Sequence, residues 1–202
     1  HSISIDPDLF LLTAYGSEGV RWGHGRSGGI FPPDLRAWDP PCGRDREGGD
    51  RMKLLMIRHG ATAGNLEKRY VGRTDEGLTE QAVFFLQEEA LKLRELAGNV
   101  AAIITSPMKR CLETAEILFP EKLYEHVPRI QKAGLSECDF GTFEYKNYLE
   151  LSGDAEYQHF IDTLGREGFP GGDGTDAFKA RTVKAFQEVW KEISSQAEQD
   201  DN

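Results

Sequence analysis

The chain has 202 residues, 39% of them hydrophobic and 29% charged, enough apolar material for one sizeable core and too much for wholesale disorder. No apolar run approaches the roughly 18 residues of a membrane-spanning helix, and a net charge of −10 disfavours nucleic acid or an anionic membrane surface as partner. Three cysteines (Cys42, Cys111 and Cys138) form no CxxC pair; with no secretory signal in view, a reducing, cytoplasmic setting without disulfides is expected.

In chain order, Leu9-Phe10-Leu11-Leu12 is a short apolar run with the length of a strand. Residues 16–50 then hold nine Gly and four Pro among 35 residues, a composition that buries little and holds no regular element. Residues 1–50 are therefore expected to be a disordered linker or a foreign segment, and 51–202 the domain proper. Met52 to Ile57 is a buried-strand candidate that stops at Arg58-His59-Gly60. Thr79 is placed to cap a helix carrying Val83, Leu86, Ala90, Leu93 and Ala97 on one face, ended at Gly98-Asn99. Val100 to Ile104 reads as a second strand, breaking at Ser106-Pro107. A second helix follows with Met108, Cys111, Ala115 and Leu118 on one face, and Lys122 to Val127 is expected as a third strand. Residues 144–163 read as helical, as do 176–193, with Val183, Phe186, Trp190 and Ile193 in one stripe. This alternation implies an α/β three-layer sandwich, with a mostly parallel central sheet flanked by helices.

Ligands of such sheets bind at the carboxyl ends of strands, where both Arg58-His59-Gly60 and the segment from Ser106 to Arg110 fall. Two guanidinium forks converging there match a phosphate. A histidine beside them is held neutral by the neighbouring positive charge, and Gly60 admits a close backbone approach to the same anion. A lone Arg-His-Gly is equally what a strand ending on a solvated rim looks like.

The motif has company. Arg58 to Asn65, Gly72-Arg73-Thr74-Asp75 with Leu78-Thr79, Thr105 to Ala115, Leu135 to Glu144 and Phe169 to Asp173 together resemble, in order, the blocks of the histidine phosphatase superfamily. That superfamily includes the cofactor-dependent phosphoglycerate mutases and many small phosphomonoesterases. The resemblance implies that His59 attacks phosphorus and becomes a phosphohistidine. Arg58 and Arg110 hold the phosphoryl oxygens, with Gly60, Thr62 and Asn65 as further phosphate contacts. Glu137 takes the place of the general acid and then activates water. No metal and no cofactor are implied, and the expected partner is a small phosphorylated metabolite.

The departures are small: Tyr145 follows Glu144 where the family usually has Gly, and Ala82 stands where Gly is common. Gly72-Arg73-Thr74-Asp75 and the short spacing from Glu137 to the late helix resemble the small phosphatases, in particular those acting on α-ribazole 5'-phosphate, more than the mutases. Cys111 and Cys138 are expected to pack as small hydrophobes, His126 and His159 to be ordinary surface residues, and Asp139 to be a solvated or capping carboxylate.

The family pattern also has a second histidine, followed by Gly, at the end of a later strand beside the one carrying the nucleophile. After Ile193 only a polar, acidic tail follows, so a domain truncated at its C-terminus, with an incomplete sheet, is expected. His24-Gly25, preceded by the stretch from Leu9 to Val20, is the one candidate for a permuted substitute, but Tyr15-Gly16-Ser17-Glu18-Gly19 interrupts that run just where a buried strand is continuous. A non-catalytic phosphate-binding module and a mutase-type phosphotransferase stand as alternatives to phosphomonoester hydrolysis.

Overall fold

A computed structural model of the chain describes residues 9–15 and 52–200. The central sheet has four strands: β1 (Leu9–Tyr15), β2 (Met52–Arg58), β3 (Asn99–Thr105) and β4 (Arg129–Gln131), in the order β2-β1-β3-β4. β3 and β4 pair in parallel, and β1 pairs antiparallel with both β2 and β3. Three of the four strands therefore run the same way, as the α/β reading expects, with β1 reversed among them.

The short apolar run at Leu9 to Leu12 lies in a strand, Leu9–Tyr15, inside the sheet. It lies between β2 and β3, where the resemblance implies the strand ending in a second histidine. Its register is Leu9 to Arg58 and Tyr15 to Met52, so it brings its amino-terminal end to Arg58. A strand delivering a histidine there from its carboxyl end would have to run the other way. His24 and the rest of that Gly/Pro-rich segment lie outside the described residues.

β3 supplies both layers of the core through the alternation of its side chains. Ile103 faces α2 (Glu80–Ala97) and α3 (Lys109–Leu118), packing with Leu86, Ala90, Ala115, Leu118 and Phe119. Ala102 and Ile104 face the other way, onto Leu135 and onto Ala185, Val189 and Ile193 of α5 (Thr175–Asp200). The three layers of the sandwich are thus helix pair, sheet and α5.

The ends of α2 fall where its residues dictate. Thr79 accepts the Ala82 N–H with its hydroxyl, and Gly98 closes the helix at φ +66°, open to L-residues only under strain. On α5 the buried stripe is Phe178, Ala185, Val189 and Ile193, with Val183 exposed, a shift from the expected face. The segment 144–163 is helical only over α4 (Ala155–Asp162), capped by Asp154.

The third strand is also displaced. Lys122 to Val127 is no strand: Glu121–Leu123 is a 3-10 turn, and the Leu123, Tyr124 and Val127 amides donate back to Pro120 and Tyr124 carbonyls. Pro120 starts that turn, and the side chains of 121–123, 125 and 126 are all exposed, so no buried alternation drives pairing there. β4 forms just beyond Pro128 instead.

Candidate active site

The site is built at the carboxyl ends of β2 and β3. His59 follows β2 directly and is 8% exposed. Its Nδ1 lies 2.6 Å from the Gly60 carbonyl oxygen. A carbonyl can only accept, so Nδ1 carries a proton and donates it, and in the neutral tautomer the lone pair sits on Nε2. Gly60 is packed from behind: an added Cβ would meet Leu86 Cδ1 at 2.9 Å and both Ala82 and Leu78 at 3.2 Å. Ala82, where a glycine is common in the family, is buried in that contact.

Arg110, in the first turn of α3, is fully buried. Its guanidinium donates to the carbonyls of Thr74 at 3.0 Å, Gly72 at 3.1 Å and Val71 at 3.5 Å. Carbonyl dipoles on a fork of fixed geometry are what lets a charge sit out of water. Arg58, by contrast, is exposed at the end of β2.

Thr114 joins the first two blocks. Its hydroxyl accepts the Gly60 N–H at 3.0 Å and donates to the Arg110 carbonyl at 2.7 Å. The third block joins through Glu144, whose Oε1 accepts from the Gly72 N–H, the Thr74 N–H and the Thr74 hydroxyl at 3.0, 2.9 and 2.7 Å. Gly72 is pressed against the Cys138 carbonyl so closely that a Cβ would stand 2.2 Å from it. The segment Val71 to Thr74 is therefore where Arg110, Glu144 and the backbone beside Glu137 meet. Lys109 N–H to Asp75 at 2.7 Å and Leu78 N–H to Glu113 at 2.7 Å fasten the rest of this loop to α3.

Thr62 and Asn65 have a local task. Thr62 is fully buried and caps the short helix α1 (Ala63–Leu66), accepting the Asn65 N–H, while Asn65 Oδ1 accepts the Thr62 N–H. Glu137 is half-buried and accepts the Cys138 N–H at 2.7 Å. Burial pushes the Cys138 thiol up to about 12, with the charges of Asp173 and Glu137 adding to it, so Cys138 is a protonated packing residue at neutral pH.

Two other described histidines stand apart. His126 is exposed and lines an open cavity with Asn99 and Tyr124 at the amino-terminal end of β3, the opposite end of the sheet. His159 lies exposed on α4, 2.9 Å from Glu167. Thr114 and Glu144 were missed as site residues in the sequence. Thr114 carried one usable signal, since it lies four residues after Arg110 and so on the same helix face.

His59 after β2 and the buried Arg110 in the first turn of α3 are thus joined through Thr114 at the carboxyl end of the sheet of an α/β sandwich. The family model of the histidine phosphatase superfamily (branch 1) matches residues 54–198, and the chain belongs to that superfamily. A broad-specificity phosphatase of Saccharomyces cerevisiae is 25% identical over 162 residues, covering 75% of this chain and 64% of that protein. A 2,3-bisphosphoglycerate-dependent phosphoglycerate mutase of Bacteroides thetaiotaomicron is 31% identical over 100 residues, 50% of this chain and 40% of that protein. The crystal structure of the α-ribazole phosphatase from Shigella flexneri superposes with a TM-score of 0.60 at 23% identity, covering 69% of this chain and 67% of that one, a likeness of fold. The chain spans less than two thirds of the length of these curated relatives. Among the described residues no helix is long and apolar enough to cross a membrane.

Proposed function

We propose that this domain hydrolyses small phosphomonoesters through a phosphohistidine at His59. The observation that carries the reading is the 2.6 Å contact of His59 Nδ1 with the Gly60 carbonyl, which in the neutral tautomer directs the lone pair to Nε2. Nε2 attacks phosphorus, and the N–P bond forms as the ester P–O bond breaks. Glu137 gives its proton to the departing oxygen, then takes one from the water that cleaves the N–P bond. Arg58 and Arg110 neutralise the charge on the transferred group. Gly60, Thr62 and Asn65 shape the loop around it, Thr62 and Asn65 acting through the cap they form.

The cradle recognises the phosphate and leaves the alcohol open. The fold likeness to an α-ribazole phosphatase supports a phosphorylated metabolite such as α-ribazole 5'-phosphate. The identity to a phosphoglycerate mutase favours a second reading, in which a sugar-acid hydroxyl replaces water as acceptor. Intact mass after brief exposure to a small phosphomonoester, quenched at alkaline pH, tests the shared step. One added phosphoryl group, absent in His59→Ala, is expected; an adduct that persists in His59→Ala rules out the assignment. Release of inorganic phosphate, against transfer to an added hydroxy acid, separates the two readings.

A further inference from the structure

Glu137 stands in a stretch with little regular structure of its own, between the 3-10 turn Ala133–Leu135 and the next at Gly141–Phe143. A proton donor must lie within about 3 Å of the oxygen it serves, so something outside the stretch has to fix its backbone. α5 does so. Arg181 Nη1 donates to the Gly134 carbonyl at 3.1 Å and the Ser136 carbonyl at 3.0 Å. Its Nη2 donates to the Glu137 carbonyl at 3.3 Å and to Asp173 Oδ2 at 2.9 Å. The same Asp173 oxygen accepts the Asp139 N–H at 3.0 Å, and the Asp173 N–H donates to the Asp139 carbonyl at 2.9 Å.

One ion pair thus grips the chain at Glu137 itself, on the residue before it and two residues beyond it. The grip is tight on the far side as well: a Cβ on Gly172 would stand 2.2 Å from the Asp139 carbonyl oxygen. Asp139 is further tied to Arg73 at 3.0 Å, and its Oδ1 accepts the Gly141 N–H at 3.0 Å. Arg181 and Asp173 on the α5 side, and Asp139 with its partner Arg73 from the loops, are thus charged groups tied to the backbone on either side of Glu137. Arg181 is itself seated over the Phe178 ring, 5.1 Å from its centroid, which orients the plane of the fork.

We propose that the Arg181–Asp173 pair is the positioning device for Glu137, aiming its carboxyl at the leaving-group oxygen. The inference rests on the reading of Glu137 as general acid. A planar fork serves three carbonyls and a carboxylate at once, which a single ammonium does not. Arg181→Lys therefore keeps the charge and loses the aim.

Leaving-group chemistry separates aim from mere stability. A nitrophenolate departs without a proton, whereas an alkoxide needs one. With the full chain, Arg181→Lys is expected to cut kcat/KM for an alkyl phosphate by about tenfold or more while leaving kcat/KM for p-nitrophenyl phosphate within about twofold, because kcat/KM reports the steps up to leaving-group departure and not the later water step that Glu137 also serves. Asp173→Asn, a milder change, is expected to show the same pattern more weakly. Equal losses on both esters, or no loss on the alkyl ester, overturn the inference. Glu137→Gln distinguishes the two levels: if it spares the alkyl ester, the acid assignment itself fails, and if it does not while Arg181→Lys does, only the positioning fails. The 13C carboxyl resonance of Glu137, identified by its loss in Glu137→Gln, gives a readout that needs no turnover. Its selective shift in Arg181→Lys is expected, and an unmoved resonance overturns the inference.

Discussion

Thr114 holds Gly60: its hydroxyl accepts the Gly60 N–H at 3.0 Å while donating to the Arg110 carbonyl four residues back at 2.7 Å. The residue after the candidate nucleophile is thereby tied to the helix turn that carries the buried arginine, with Thr114 fully excluded from solvent. Thr114→Val conserves shape and removes the acceptor, leaving the half-buried Gly60 amide without its partner. A loss of about 1–3 kcal/mol is expected in urea unfolding, with Thr114→Ser retaining most of the stability. Equal stability of the valine variant would show that the bond contributes nothing to the loop.

Glu144 acts on the same site from the other side. Three donors from Gly72 and Thr74 converge on its Oε1, and the carbonyls of Val71, Gly72 and Thr74 in turn receive Arg110. Glu144→Ala is expected to destabilise the fold by about 2 kcal/mol or more and to weaken binding of inorganic phosphate, because the acceptors of Arg110 lose their support. Glu144→Gln keeps an oxygen in the Oε1 position and is expected to fall between alanine and wild type. The measurements are chemical unfolding and calorimetric phosphate titration; an alanine variant that binds phosphate normally would sever Glu144 from the arginine.

Local rules made much of this legible before any coordinates. Thr79 and Gly98 bound α2 because a hydroxyl acceptor and a residue tolerant of positive φ are written at its two ends. The Arg58-His59-Gly60 turn falls at the end of an apolar run of strand length. What escaped was non-local. Leu9–Tyr15 pairs with strands some forty and ninety residues away, and nothing in its own composition names those partners. β4 lies beyond the strand-like residues Lys122 to Val127 for a related reason: it is Arg129 and Ile130 that pair in parallel with Ile103 and Ile104. Arg181 carries no local signal of its role, since its three carbonyl partners lie 44 to 47 residues away.

The ion pair between Arg181 of α5 and Asp173 just before it has a pH signature. Burial works against the charge of the Asp173 carboxyl, but the Asp139 N–H, the Arg181 guanidinium and Arg73 outweigh it and hold its pKa below the ordinary carboxylate value. A carboxyl depressed in the folded state takes up its proton first in the unfolded chain, so stability rises with pH through that window. The contribution is complete above the unfolded value, near pH 4, and is lost as pH falls through the lower folded one. Wild type is therefore expected to exceed Asp173→Asn in unfolding free energy by a constant margin from neutral pH down to about pH 4, the margin shrinking at lower pH. A margin that stays constant through strongly acidic pH would mean that Asp173 owes its stabilising effect to shape alone.

The two arginines assigned to the phosphate differ in what else they hold. Arg110 is fully buried and supplies donors to three backbone carbonyls, so its removal orphans those groups as well as weakening the cradle. Arg58 is exposed at the strand end, where a side chain carries little of the fold. Arg110→Ala is expected to lower the unfolding free energy by about 3 kcal/mol or more, and Arg110→Lys to recover only part of it, because one ammonium does not span the loop. Arg58→Ala is expected to leave unfolding within about 0.5 kcal/mol of wild type while weakening phosphate binding at low salt, where an exposed charge acts over the longest range. Unfolding curves and phosphate titrations on the same three variants separate the roles. Comparable unfolding of Arg58→Ala and Arg110→Ala would sink the division, and unchanged phosphate affinity in Arg58→Ala would remove that residue from the cradle.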